Sequence, residues 1–234
     1  MNKYLLLLAA IAAAVSIGHA QAIKTLSVDF NRVEQKSDAG KEYSEGTVYF
    51  KFPDYVSICL HTPIKQNLYY HGSKLDIWYP DSSKAIGITA KIPITVPFFS
   101  AFVSAITDDF GLSLLKYKVE STTVNNDTVI SVWSAPKQVI KYLPKVTLKQ
   151  FKNCLVSATT IYPKEKIIYA IFSNHVKIGR NFYPLTLTQR TTENAVLTAE
   201  ETVNYSNLQI NINLDDTIFN PQIPKNCYIK HFNW

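Results

Sequence analysis

From Ile23 onward, apolar and polar residues alternate with a period of two, the spacing of strands that bury one face. Leu26, Val28 and Phe30 interleave with Thr25, Ser27 and Asp29 in a first predicted strand, and the polar segment from Lys36 to Glu45 reads as a turn or loop. Val48, Phe50 and Phe52 share one face of the next strand. Pro53-Asp54 is expected to break or bulge that strand, and Tyr55 to Leu60 to resume it until Pro63 ends the run. Leu68 and Tyr70 lead into a tight turn at His71-Gly72-Ser73, where glycine supplies the positive φ of a short hairpin. Leu75, Ile77 and Tyr79 return, and Pro80 to Ser83 turn the chain into a strand holding Ile86 and Ile88. Strand patterns resume at Tyr117 and Val119, turn at 125–127, and continue over 129–133, 145–150, 155–162, 167–172, 182–190, 196–205 and 208–214.

One segment has a different period. In PFFSAFVSAITDDFG, which opens at Pro97, Phe99, Phe102, Val103, Ile106 and Phe110 recur at three- and four-residue steps, and Gly111 stands where a left-handed C-terminal cap would. This predicts an amphipathic helix of three to four turns. A long antiparallel meander curls, and a helix with one apolar face can plug its concave side. The expected fold is therefore mainly β: a large, strongly curved antiparallel sheet with at least one apolar helix that can plug its concave side. Apolar residues on both faces of many strands suit a sheet with one face on a cavity and the other partly covered.

Composition agrees with strands. The chain is 47% hydrophobic and rich in Tyr, Phe, Ile, Val and Thr. Its +6 net charge is spread among lysines without a basic run, so no nucleic-acid arm stands out. The start of the chain has the layout of a secretory signal peptide: Lys3, the apolar run Leu5 to Ile17, and small-residue sites ending at Ala20 and Ala22. Cleavage is expected after Ala20, with Ala22 the alternative, leaving 21–234 as a single exported domain. Cys59, Cys154 and Cys227 are odd in number; buried thiols are the expected state, with Cys154 and Cys227 the pair if a bridge forms.

Catalytic chemistry finds little footing. His71 with Asp76 or Asp81 could form a base and its orienter, but no nucleophile sits in a strained turn, so a surface histidine is the favoured reading. Asp108-Asp109 and Asp215-Asp216 are adjacent carboxylates, which diverge rather than converge, and are read as solvated charges at element ends. No phosphate-binding loop, dinucleotide fingerprint or metal-ligand spacing occurs. An enzyme, a cofactor and a metal are not expected.

The order of FNRVEQK at Phe30 to Lys36, GTVYFKFPDYV, TPIKQNLYYHGSKL, IWYP and PFFSAF, followed by YPLTLTQRTTEN, VNYSNLQIN and DDTIFNPQIPKN, resembles the outer-membrane lipoprotein carrier family, the LolA/LolB-like proteins. The resemblance spans most of the mature chain and implies that the sheet is an unclosed half-barrel of antiparallel strands whose apolar interior receives acyl chains under a short helical lid. It implies a periplasmic carrier that takes acylated lipoprotein or related lipid cargo from an inner-membrane release complex to an outer-membrane acceptor, working as a monomer. Each methylene kept from water is worth about 0.8 kcal/mol, so such cargo needs a shielded cavity to cross an aqueous gap. The expected cavity and lid residues are Phe50, Phe52, Leu68, Tyr70, Ile77, Phe99, Phe102, Val103, Ile106 and Trp133. Two departures from the family, Phe52 where an arginine commonly precedes the proline and no helix before the first strand, imply a smaller or more open lid. The rival readings are a regulatory sensor of lipids or lipoproteins built on the same half-barrel and a secreted hydrolase of acylated substrates, the latter disfavoured by the missing nucleophile elbow.

Overall fold

The computed structural model describes residues 23–90, 102, 109–113, 116–137, 145–152, 154–162, 165–179, 181–220 and 223–233. The expected signal peptide and the helix positions Phe99, Val103 and Ile106 lie outside these residues. The first half of the chain supplies β1 (Thr25–Lys36), β2 (Lys41–Lys51), β3 (Tyr55–Thr62), β4 (Gln66–His71), β5 (Lys74–Tyr79) and β6 (Lys84–Thr89). The second half supplies β7 (Lys118–Asn125), β8 (Thr128–Ser134), β9 (Lys145–Phe151), β10 (Cys154–Ile161), β11 (Lys166–Ile178), β12 (Asn181–Glu193), β13 (Val196–Ile210) and β14 (Tyr228–Asn233). All belong to one unclosed sheet, ordered β14-β6-β5-β4-β3-β2-β1-β13-β12-β11-β10-β9-β8-β7. Each adjacent pair is antiparallel except β14 and β6, which run parallel.

Period-two patterning becomes one continuous buried face. Val28, Val48, Ile58, Leu68 and Ile77 are successive cross-strand partners from β1 to β5. Leu148, Leu155, Phe172, Leu187 and Val203 carry the same apolar face through β9 to β13, and both halves meet in one buried cluster. Strands far apart in the sheet can share a core only if the sheet curls around it, so this is the concave face. Phe102, Leu112 and Tyr117, from the connection between β6 and β7, are buried in that cluster.

The structure corrects the sequence reading at several points. The segment 52–54 is not a bulge in a resumed strand but a reversal, and β3 runs antiparallel to β2. Pro53 has no N–H for the ladder, and the chain turns there. The predicted loop over 36–45 shrinks to a turn at 37–40, because the antiparallel β1–β2 ladder continues past the apolar residues to Gln35 opposite Lys41. The run 196–205 and the first residues of 208–214 form one strand, β13, which ends at Ile210, with Asn207 at φ +52 where its pairing with β1 shifts register; asparagine tolerates that left-handed backbone. The β14 strand has no counterpart in the sequence reading. All three cysteines are free thiols and half-buried, so the Cys154–Cys227 bridge is absent.

Candidate functional site

Under the concave side of β1 to β4 lies a cavity of about 600 Å³. Phe30, Ile58, Leu60, Leu68 and Tyr70 make its apolar wall, and Lys41, Glu42, Ser44, Thr62 and Gln66 line its polar part. The register explains the grouping. Ile58 lies opposite Leu68, and Tyr70 opposite Val56, which puts large side chains from neighbouring strands side by side on one face. Burial pushes the Tyr70 phenol up to about 12.

Arg32 also lines this cavity. Its Nε donates to Glu201 Oε1, and its Nη2 lies 2.7 Å from Glu34 Oε2. Lys36 Nζ approaches Glu34 at 3.6 Å. Glu201 is only 8% exposed, an uncommon state for a carboxylate unless it is paired. Burial alone would depress the Arg32 guanidinium, but Glu201 and Glu34 hold it above its ordinary value. The neighbouring Tyr205 phenol is raised well above the usual tyrosine range by burial and by the Glu201 charge, with Arg32 opposing.

The expected site residues are distributed unevenly. Leu68 and Tyr70 line the cavity. Ile77 is the cross-strand partner of Leu68 on β5, and Phe50 sits on the same sheet face opposite Leu26 and Val56, packed on the core. Trp133 is half-buried against the core from β8, its Nε1 donating to Ser131 Oγ at 2.8 Å. Phe102 is helical and fully buried, its ring 4.4 Å from that of Tyr205. Phe52, expected on the cavity wall, is instead 66% exposed, because it falls in the reversal beyond β2. Phe30, Ile58, Leu60, Arg32 and Glu201 were not anticipated. The parity of β1 and β3 carries the signal for the first three, but nothing local in the sequence joins Arg32 to a residue on β13.

The residues weighed for catalysis occupy ordinary positions. His71 stacks on Tyr55 with ring centroids 4.0 Å apart and faces Asp54 at 3.6 Å, rather than Asp76 or Asp81. Asp109 accepts hydrogen bonds from the backbone N–H groups of Gly111 and Ser113 at 2.9 and 3.1 Å. Burial would raise its carboxyl, but these bonds outweigh it and hold the group below the usual range. Asp215 accepts from the Thr217 N–H at 2.8 Å, and Asp216 pairs with Lys51. Gly111 has φ +73, a left-handed backbone; the end of the helix it was expected to cap lies outside the described residues.

No known family profile matches the sequence, and no curated protein matches it. Solved structures do. A LolA superfamily protein from Nitrosomonas europaea superposes with a TM-score of 0.58 at 13% identity, over 85% of this chain and 90% of that one. A DUF1329 family protein from Desulfovibrio piger gives 0.59 at 14% identity, over 90% and 95%. A domain assigned to outer membrane lipoprotein sorting from Vibrio parahaemolyticus gives 0.56 at 10% identity, over 86% and 91%. The chain therefore has the open half-barrel fold of the LolA superfamily and lipoprotein-sorting structures, as the order of its sequence motifs suggested.

Proposed function

We propose that this protein is a non-catalytic carrier that shields acyl chains of lipoproteins or related lipids in the concave cavity and hands them on across the periplasm toward the outer membrane. The observation that carries the reading is the cavity of about 600 Å³, walled by Phe30, Ile58, Leu60, Leu68 and Tyr70 and placed at the edge of the core. Its volume falls in the range of small-molecule sites, roughly 300 to 1,000 Å³. The fold shared with a lipoprotein-sorting domain supports the same reading. At about 0.8 kcal/mol per buried methylene, a wall of this kind gives an acyl chain a large preference over water without any bond being made or broken.

Native mass spectrometry of the mature protein purified from its own envelope tests this, with solvent extraction of whatever co-purifies. An acylated adduct that is lost on delipidation is the expected result. A clean apo mass, together with failure to take up a fluorescent acyl probe, would overturn the proposal.

A further inference from the structure

The ion-paired cluster beside the cavity has a definite sign. Arg32, on the cavity wall, is matched by two carboxylates, Glu34 and Glu201, and the side chains of the three are 21%, 17% and 10% exposed. The inner group thus carries one more negative charge than positive. Lys36, 3.6 Å from Glu34, offsets it from outside, but its side chain is 42% exposed and it also faces Glu42 at 3.7 Å. Lys41 and Glu42 in the polar part of the lining cancel each other in formal charge. Glu34 and Glu201 do not themselves line the cavity, but buried charges are screened much less than hydrated ones, so the two carboxylates offset the charge that Arg32 presents on its wall.

Burial sharpens the effect. An anion entering this cavity would lose its hydration and meet a guanidinium already held by two carboxylates. An ester or amide carbonyl has no charge to desolvate, and its oxygen can accept a hydrogen bond from the polar residues of the lining, such as Ser44 or Gln66.

Resting on the carrier reading above, we infer that the Arg32–Glu34–Glu201 cluster makes the cavity selective for uncharged acyl esters and amides over free carboxylates, with Glu201 the residue that sets the preference. Glu201 acts from behind the wall, by neutralising and holding Arg32. The selectivity separates chains esterified or amidated to a larger cargo from loose fatty acids of the same length.

The test is displacement of N-phenyl-1-naphthylamine, an uncharged fluorescent probe, by dodecanoate and by its methyl ester at pH 8, below their critical micelle concentrations. The ester is expected to compete better with the wild-type protein. Because an ionised acid partitions less well into any apolar site, the diagnostic quantity is the ester-to-acid affinity ratio in Glu201→Gln, which keeps an acceptor for Arg32 Nε but removes the charge. That ratio should fall about tenfold, the order expected for removing a unit charge about 12 Å from the ligand's head at an effective dielectric of about 20. Glu34→Gln should shift it in the same direction and serves as the readout if Glu201→Gln does not fold by circular dichroism. An unchanged ratio in the folded variants, or a wild-type preference for the acid, would overturn the inference while leaving the carrier reading standing. Failure of the probe and both competitors to bind at all would overturn both.

Discussion

Leu68→Asp puts the cavity reading under direct strain. Leu68 lies on β4 between Ile58 on β3 and Ile77 on β5, with its side chain on the cavity wall. A chain lying along this wall would lose apolar contact over roughly three to four methylenes, and at about 0.8 kcal/mol each this is about 3 kcal/mol. Such a loss weakens binding about 100-fold, since about 1.4 kcal/mol corresponds to a factor of ten. The cost to the fold is smaller. Leu68 is half-buried rather than in the fully buried core, so the new carboxylate keeps part of its hydration and destabilisation of about 1 to 2 kcal/mol is expected. The assay is titration with a fluorescent acyl probe, with far-UV circular dichroism as the check on folding. Val124→Asp is the control, because Val124 is 67% exposed on β7, away from the cavity wall. Wild-type affinity in a folded Leu68→Asp protein would refute the assignment of this cavity as the acyl site.

Gly46→Ala should destabilise the protein by about 1 to 3 kcal/mol in urea unfolding, because a Cβ there would run into the Cys59 carbonyl and lie 3.1 Å from Leu60 Cα, both backbone atoms that cannot rotate away; a wild-type midpoint would show that β3 shifts freely. The Tyr70 phenol titrates at about 12 in the fold against 10.0 in a free chain, so the folded state holds its proton more tightly. This contribution is full below pH 10 and is lost as pH rises through 12, amounting to about 3 kcal/mol at most. Tyr70→Phe should therefore flatten the decline of unfolding free energy across that alkaline window, and an equally steep decline in the variant would exclude Tyr70 as its source.

Much of the fold was legible because the concave face is an uninterrupted period-two pattern. Leu26, Val28 and Phe30 announce β1, and the hairpin at Gly72 announces itself by residue type. Direction was harder to read than existence. At Phe52-Pro53-Asp54 the same residues fit a bulge or a reversal, and only pairing with β3 shows that Phe52 leaves the wall. The β14 strand escaped notice because YIKHFN is almost wholly exposed and gains its strand character from parallel pairing with β6. The site was half legible: strand parity indicates Leu68 and Tyr70, whereas Arg32 and Glu201 are 169 residues apart and meet only when β13 closes on β1.

That closure also governs how the molecule can be made. β1 starts at Thr25 yet takes its second neighbour from a strand ending at Ile210, so the middle of the sheet is joined from nearly opposite ends of the polypeptide. A chain emerging from its N-terminus can form the β1–β6 meander early, but it keeps one edge of β1 open until β13 arrives. Long-range closure of this kind slows folding, and an unpaired edge beside apolar side chains is a place where other chains can add. The half-formed protein is thus the state most in need of protection, and the final pairing of β13 with β1 both completes the core and removes that edge.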